Sequence, residues 1–192
     1  WSSMTDNKNC KPLPPTEIRQ DRASQRGLDE EGRRNGDYKG SQPLISFSTS
    51  FFINMALRFY IDTSIWVDVY EDRTGHCGEP LGEFGTVLLS KILAEKSRIV
   101  VTDILLAELH VKFSDSQIKG IFSLFEKLIE PVKSSKDQHE EALRLASERD
   151  VPKGDAFHAI LARDSDSILV TRDRHFKKLS DISRPFKPED LI

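Results

Sequence analysis

Cysteine is nearly absent from this 192-residue chain: Cys10 and Cys77 are the only two. Neither sits at a metal-ligand spacing, and the pair argues against a disulfide framework and for a reducing, cytoplasmic setting. No apolar run reaches the roughly 18 residues of a membrane span. The stretch "PLISFSTSFFINMAL" is too broken by Ser, Thr and Asn to serve as a signal core. Charge of one sign is lacking too. Charged residues make up 31% of the chain, yet the net charge is only −3, so no global basic signature marks a nucleic-acid binder. A local basic patch stays compatible with that balance.

Residues 1–54 also lack a pattern. "TDNKNCKPLPPTEIRQDRASQRGLDEEGRRNGDYKGSQP" is polar, with Gly and Pro scattered through it and neither helical nor alternating periodicity. Such a segment buries too little apolar surface to offset its chain entropy. The expected division is therefore a disordered or non-native extension over 1–54 and one folded domain over 55–192, beginning at Met55.

Within 55–192, strand and helix signals alternate. "RFYI" (58–61), "RIVVT" (98–102) and "SILVT" (167–171) read as buried strands, and "IEPV" (129–132), around Pro131, as an edge strand. Helices are expected over 64–72, 84–96, 103–113 with Asp103 as N-cap, 136–150 and 155–164. A further helix is expected where Ile118, Ile121, Phe122, Phe125 and Ile129 recur at three- and four-residue steps. This alternation predicts a mostly parallel sheet covered by helices on both faces, with ligands beyond the carboxyl ends of the strands.

That rule makes acids at strand ends worth attention, and four acids stand out. Asp62 follows the first strand, and Asp173 follows "SILVT" after Arg172. Glu108 lies among Leu105, Leu106, Ala107 and Leu109, and Asp155 opens an apolar helix behind Gly154. Each has an ordinary explanation: Asp62 and Asp155 as helix caps, Asp173 as a turn residue, Glu108 on an exposed helix face. Gathered together they would repel, so one must stay protonated or a cation must hold them. Oxygen ligands select Mg²⁺ or Mn²⁺, whose natural chemistry is metal-assisted phosphodiester hydrolysis.

"YIDTSIWVDVY", "VVTDILLAELH", "KGDAFHAILA" and "ILVTRDRHFKKL" occur in the order and approximate spacing of a PIN domain. The closing "RPFKPEDLI" also looks like the end of many such domains, so the resemblance covers about residues 57–190. The chain resembles small VapC-type toxins, which are Mg²⁺-dependent endoribonucleases inhibited by a partner antitoxin. The resemblance implies an α/β/α sandwich, an RNA substrate, an antitoxin partner and a homodimer. It assigns Asp62, Glu108, Asp155 and Asp173 to the metal site, Ser64 to orienting those acids, and Thr171 to the hydroxyl before the last acid. The loop "EDRTGHCGEPLGEF" is longer and more Gly-rich than in the shortest toxins.

Lys153, Arg163, Arg172, Arg174, His175, Lys177 and Lys178 make the second half locally basic. They are candidates for RNA phosphates, with an internally paired, solvated face as the alternative. His158 reads as a packed neighbour of Asp155, and zinc is not expected at His76 and Cys77. The rival to a nuclease is a PIN-like module that binds RNA or protein without cutting. An aspartyl-phosphate phosphatase would want an Asp where Ser64 stands.

Overall fold

The structure, a computed structural model, describes residues 56–192; the expectation for residues 1–54 lies outside them. Five parallel strands form one sheet: β1 (Arg58–Ile61), β2 (Arg98–Thr102), β3 (Ile129–Val132), β4 (Ile168–Val170) and β5 (Pro185–Phe186), in the order β3-β2-β1-β4-β5. The six α-helices among the described residues are α1 (Thr63–Tyr70), α2 (Leu81–Glu95), α3 (Asp103–Lys112), α4 (Asp115–Phe122), α5 (Lys136–Arg149) and α6 (Lys153–Asp164).

Alternation along each strand sends successive side chains to opposite faces, and the core divides accordingly. Phe59 and Ile61 of β1 join Ile99 and Val101 of β2 in one apolar layer with Ile65, Trp66, Leu88, Leu105 and Phe122 of α1–α4. Tyr60, Val100 and Leu169 face the other way, onto Ala142 and Leu145 of α5 and Phe157 and Ile160 of α6. Three layers, α/β/α, result. Trp66 anchors the first core: it is 1% exposed and meets Phe122 and Phe125 edge to face, with ring centroids 4.9 and 6.2 Å away.

Local differences from the sequence reading have physical causes. The stripe from Ile118 to Ile129 is not one helix. After α4 the chain tightens into a 3₁₀ turn (Ser123–Phe125), and Ile129 opens β3. Helical spacing persists because Phe125 and Ile129 still pack on the same core. Thr102, not Asp103, caps α3: its Oγ1 accepts the amide of Leu105. Asp103 instead accepts from the amide and hydroxyl of Ser134, 3.0 and 2.9 Å away, and so ties α3 to the chain entering α5. β5 goes unread in the sequence because a two-residue strand carries no periodicity.

The Gly-rich loop has a packing role as well. α1 and α2 approach so closely that a Cβ at Gly82 would come within 2.8 Å of the Asp68 carbonyl oxygen, and one at Gly85 within 2.5 Å of Val69 Cγ2. No helix among the described residues is long and apolar enough to cross a membrane.

Candidate metal centre at the sheet's switch point

The strand order reverses beside β1, which pairs with β2 on one side and β4 on the other. Doubly wound sheets open a crevice at such a point, beyond the carboxyl ends of the strands. A cleft of about 410 Å³ lies there, lined by Asp62, Thr63, Ser64, Val67, Arg73, Glu108, Val111, Lys112, Asp155, His158 and Asp173. The four acids singled out in the sequence thus share one cleft. Ser64 lines it with them, and Thr171 sits just behind.

Asp62 is delivered by β1, whose ladder continues to it: its amide donates to the Val170 carbonyl at 2.9 Å. It occupies the N-cap position of α1 but makes no side-chain cap bond. Its Oδ2 instead accepts the hydroxyls of Ser64 (2.6 Å) and Thr171 (2.9 Å), which leaves Oδ1 free of hydrogen bonds among the described residues. Thr171 also accepts the amide of Asp173 at 3.1 Å, coupling the two acids through one hydroxyl. Asp173 does behave as a cap, taking the amide of His175 at the start of a 3₁₀ turn (Arg174–Leu179).

Asp155 stands in the first turn of α6 rather than at its cap, which is Pro152. Burial and the nearby charge of Asp173 raise its pKa to about 6, against the opposing pull of His175. Glu108 comes from α3, with Oε2 held by the Thr63 hydroxyl at 2.6 Å. Its Oε1 lies against the start of α6, where a Cβ on Gly154 would be 3.3 Å away. Burial works against its ionised form, but the His158 imidazole and the Thr63 hydroxyl outweigh that and hold its pKa low.

Sequence reasoning gave His158 and His175 other roles and passed over Arg73 and Lys112. His158 is 2% exposed, with Nε2 3.0 Å from Glu108 Oε2 and Nδ1 2.7 Å from the Tyr60 hydroxyl. His175 places Nδ1 3.1 Å from Asp155 Oδ2 and 3.0 Å from Asp173 Oδ1. Arg73 and Lys112 bring positive charge to the cleft wall. A residue at i+3 from an acid was the available signal for His158; nothing in the local sequence marks Arg73 or Lys112.

The predicted basic set divides. Arg172 does not face solvent: it is ion-paired to Asp68 (3.2 Å) and Glu189 (2.7 Å). Arg163 is held by Glu141 and Asp164, and Lys178 by Asp150. Lys153, Arg174 and Lys177 make no ion pair among the described residues.

Carboxylates crowded this closely, with imidazoles among them, form a set of hard-cation ligands. Two groups satisfy mutual ligand distances within 4.8 Å: Asp62, Glu108 and His158, and Asp155, Asp173 and His175. Three buried atoms in them are held only by acid–imidazole contacts: Asp155 Oδ2 with His175 Nδ1 at 3.1 Å, and His158 Nε2 with Glu108 at 3.0 Å. Like charges this close repel, and a cation in either group is a partner that would offset the repulsion. The residues present therefore fit a divalent metal.

A parallel α/β/α sheet with an acidic cleft at its switch point defines the class of protein. The chain belongs to the PIN domain family, whose profile matches residues 59–182. No curated protein matches it. Among solved structures it is similar to VapBC2 from Rickettsia felis bound to a promoter DNA fragment, at 17% identity and a TM-score of 0.50. That match covers 68% of this chain and 98% of the other. A toxin–antitoxin complex from Klebsiella pneumoniae is similar at 18% identity and TM-score 0.49, over 68% and 97% of the two chains. FitAcB from Neisseria gonorrhoeae is similar at 18% and 0.46, over 69% and 99%.

Proposed function

We propose that this PIN domain is a divalent-metal-dependent endoribonuclease, the toxin of a toxin–antitoxin pair. The observation that carries the reading is the convergence of Asp62, Glu108, Asp155 and Asp173 on one cleft, with ligand atoms grouped at metal-binding spacing. Mg²⁺ or Mn²⁺ would be held by Asp62, Asp155 and Asp173, with Glu108 direct or through water. When bound, such an ion supplies a nucleophilic water at neutral pH and neutralises charge on a phosphodiester.

The chain's own residues prepare that chemistry. Ser64 and Thr171 fix the Asp62 carboxylate by one oxygen and keep the other available. Thr63 does the same for Glu108. Lys112, without an ion pair among the described residues, and Arg73, which also pairs with Glu71 and Asp68, line the cleft and offer contacts for substrate phosphates. The product expected is a 3′-hydroxyl and a 5′-phosphate. The antitoxin partner is supported by the Rickettsia felis relative, a VapBC pair.

Purified protein should cut a mixed RNA pool in Mn²⁺ or Mg²⁺, stop in chelator, and lose at least a thousandfold in rate on Asp62→Asn with the fold unchanged. Cleavage by Asp62→Asn at the wild-type rate would remove the assignment.

A further inference from the structure

The nuclease reading leaves one buried group without a task. His158 projects from α6 one turn beyond Asp155 and is sealed from solvent. Nδ1 faces the Tyr60 hydroxyl, which in turn is 3.0 Å from Thr102 Oγ1. Nε2 faces the acids, with Glu108 Oε2 3.0 Å away. One ligand atom from each of Asp62, Glu108 and His158 lies within 4.8 Å of the other two.

We propose that His158 is a nitrogen ligand of the metal, and that the Asp62–Glu108–His158 group is built for Mn²⁺ in preference to Mg²⁺. The inference rests on the nuclease reading of this cleft. Mg²⁺ favours oxygen donors, whereas an imidazole adds affinity for transition ions. Binding through Nε2 requires its lone pair, so the imidazole proton must sit on Nδ1. The network behind the ring allows that arrangement. Nδ1–H donates to the Tyr60 oxygen, and Tyr60 turns its hydroxyl to donate to Thr102 Oγ1. Thr102 keeps a second lone pair for the Leu105 amide it already accepts at 3.2 Å. In the opposite arrangement Tyr60 donates to Nδ1 and Nε2–H faces Glu108. The two differ by a hydroxyl rotation and a tautomer, with no proton gained or lost. Metal-binding histidines characteristically have their other nitrogen backed in this way.

His175 is the other imidazole in the cleft, but its side chain is 37% exposed and its second nitrogen has no hydrogen-bond partner among the described residues. It lacks the backing that holds His158.

The test is electron spin-echo modulation of Mn²⁺ bound to the full chain. Wild-type protein should show the ¹⁴N modulation of a ligating imidazole, replaced by a ¹⁵N pattern when only histidine is labelled. The modulation should persist in His175→Gln and vanish in His158→Gln. His158→Gln should also weaken Mn²⁺ binding by about tenfold while changing Mg²⁺ binding much less. If His158→Gln does not fold, the labelled wild type and His175→Gln decide the matter between them. Saturable Mn²⁺ binding without histidine modulation overturns the inference and leaves the metal reading standing. Modulation lost in His175→Gln also overturns it. Absence of any saturable Mn²⁺ binding overturns both.

Discussion

Asp155→Asn should stabilise the metal-free domain at neutral pH, although it removes a proposed ligand. The folded-state pKa of Asp155 is raised from 3.8 to about 6, first by burial and then by Asp173. A raised carboxyl pKa means that folding favours the protonated form. Its stability contribution is therefore complete below the unfolded value near 3.8 and is lost as pH rises through about 6. Above that range the carboxylate is ionised in both states, and the fold bears the full cost. The interval corresponds to about 3 kcal/mol at roughly 1.4 kcal/mol per pH unit. Screening at the open mouth of the cleft reduces this to about 1–2 kcal/mol. A permanently neutral Asn escapes the cost. Urea unfolding in EDTA, followed by far-ultraviolet circular dichroism, should show the variant more stable than wild type by that amount at pH 8. The advantage should shrink toward zero near pH 4. Saturating Mn²⁺ should reverse the ranking, since a ligand at 100 times its Kd adds about 2.7 kcal/mol to the state that binds it. A variant less stable than wild type at pH 8 in EDTA, or one whose advantage ignores pH, would refute the reasoning.

Two further outcomes concern the frame around the cleft. Arg172→Met should cost about 3–5 kcal/mol at pH 7 in urea titrations, because it strands the buried Asp68 carboxylate with only Arg73 at 3.9 Å. The loss should be smaller at pH 4, where Asp68, its pKa already raised by burial, takes up a proton; an equal loss at both pH values would count against the pairing. Gly85→Ala should destabilise by about 1–3 kcal/mol, since the new methyl meets Val69 Cγ2. Adding Val69→Ala should make the Gly85 substitution less costly than it is alone, whereas simple additivity of the two would show that the helices do not meet there.

Fold and site were legible to different degrees because different physics writes them. "RFYI" and "RIVVT" are visible since a buried parallel strand must be apolar on both faces, and their ends are fixed by Asp62 and Asp103. The edge position of "IEPV" follows from Pro131 lacking an amide proton. By contrast, α4 ends at Phe122 while its apolar spacing runs on, because burial sets that spacing and backbone hydrogen bonding sets the helix. β5 rests on pairing with β4 alone, and pairing between distant segments leaves no local trace.

The same distinction governs the site. Asp62 looked like a cap because Asp before a helix usually is one. Its carboxylate is drawn off instead by Ser64 and Thr171, one of them 109 positions along the chain. Asp62 and Asp173 could be named from the sequence because strand ends in a doubly wound sheet converge, whereas Glu108 and Asp155, both on helices, joined them through the PIN resemblance. Their partners could not. Tyr60, His158 and Thr102 meet across separations of 98 and 42 residues, and each taken singly is an unremarkable core residue. Arg172 shows the converse error. Its neighbours made it look like part of a basic face, yet it lies under the C-terminal turn against Asp68 and Glu189. That placement puts an ion pair between Thr171 and Asp173, two residues that position the cleft's acids. A substitution at Arg172 should therefore lower metal affinity as well as stability, even though Arg172 does not line the cleft.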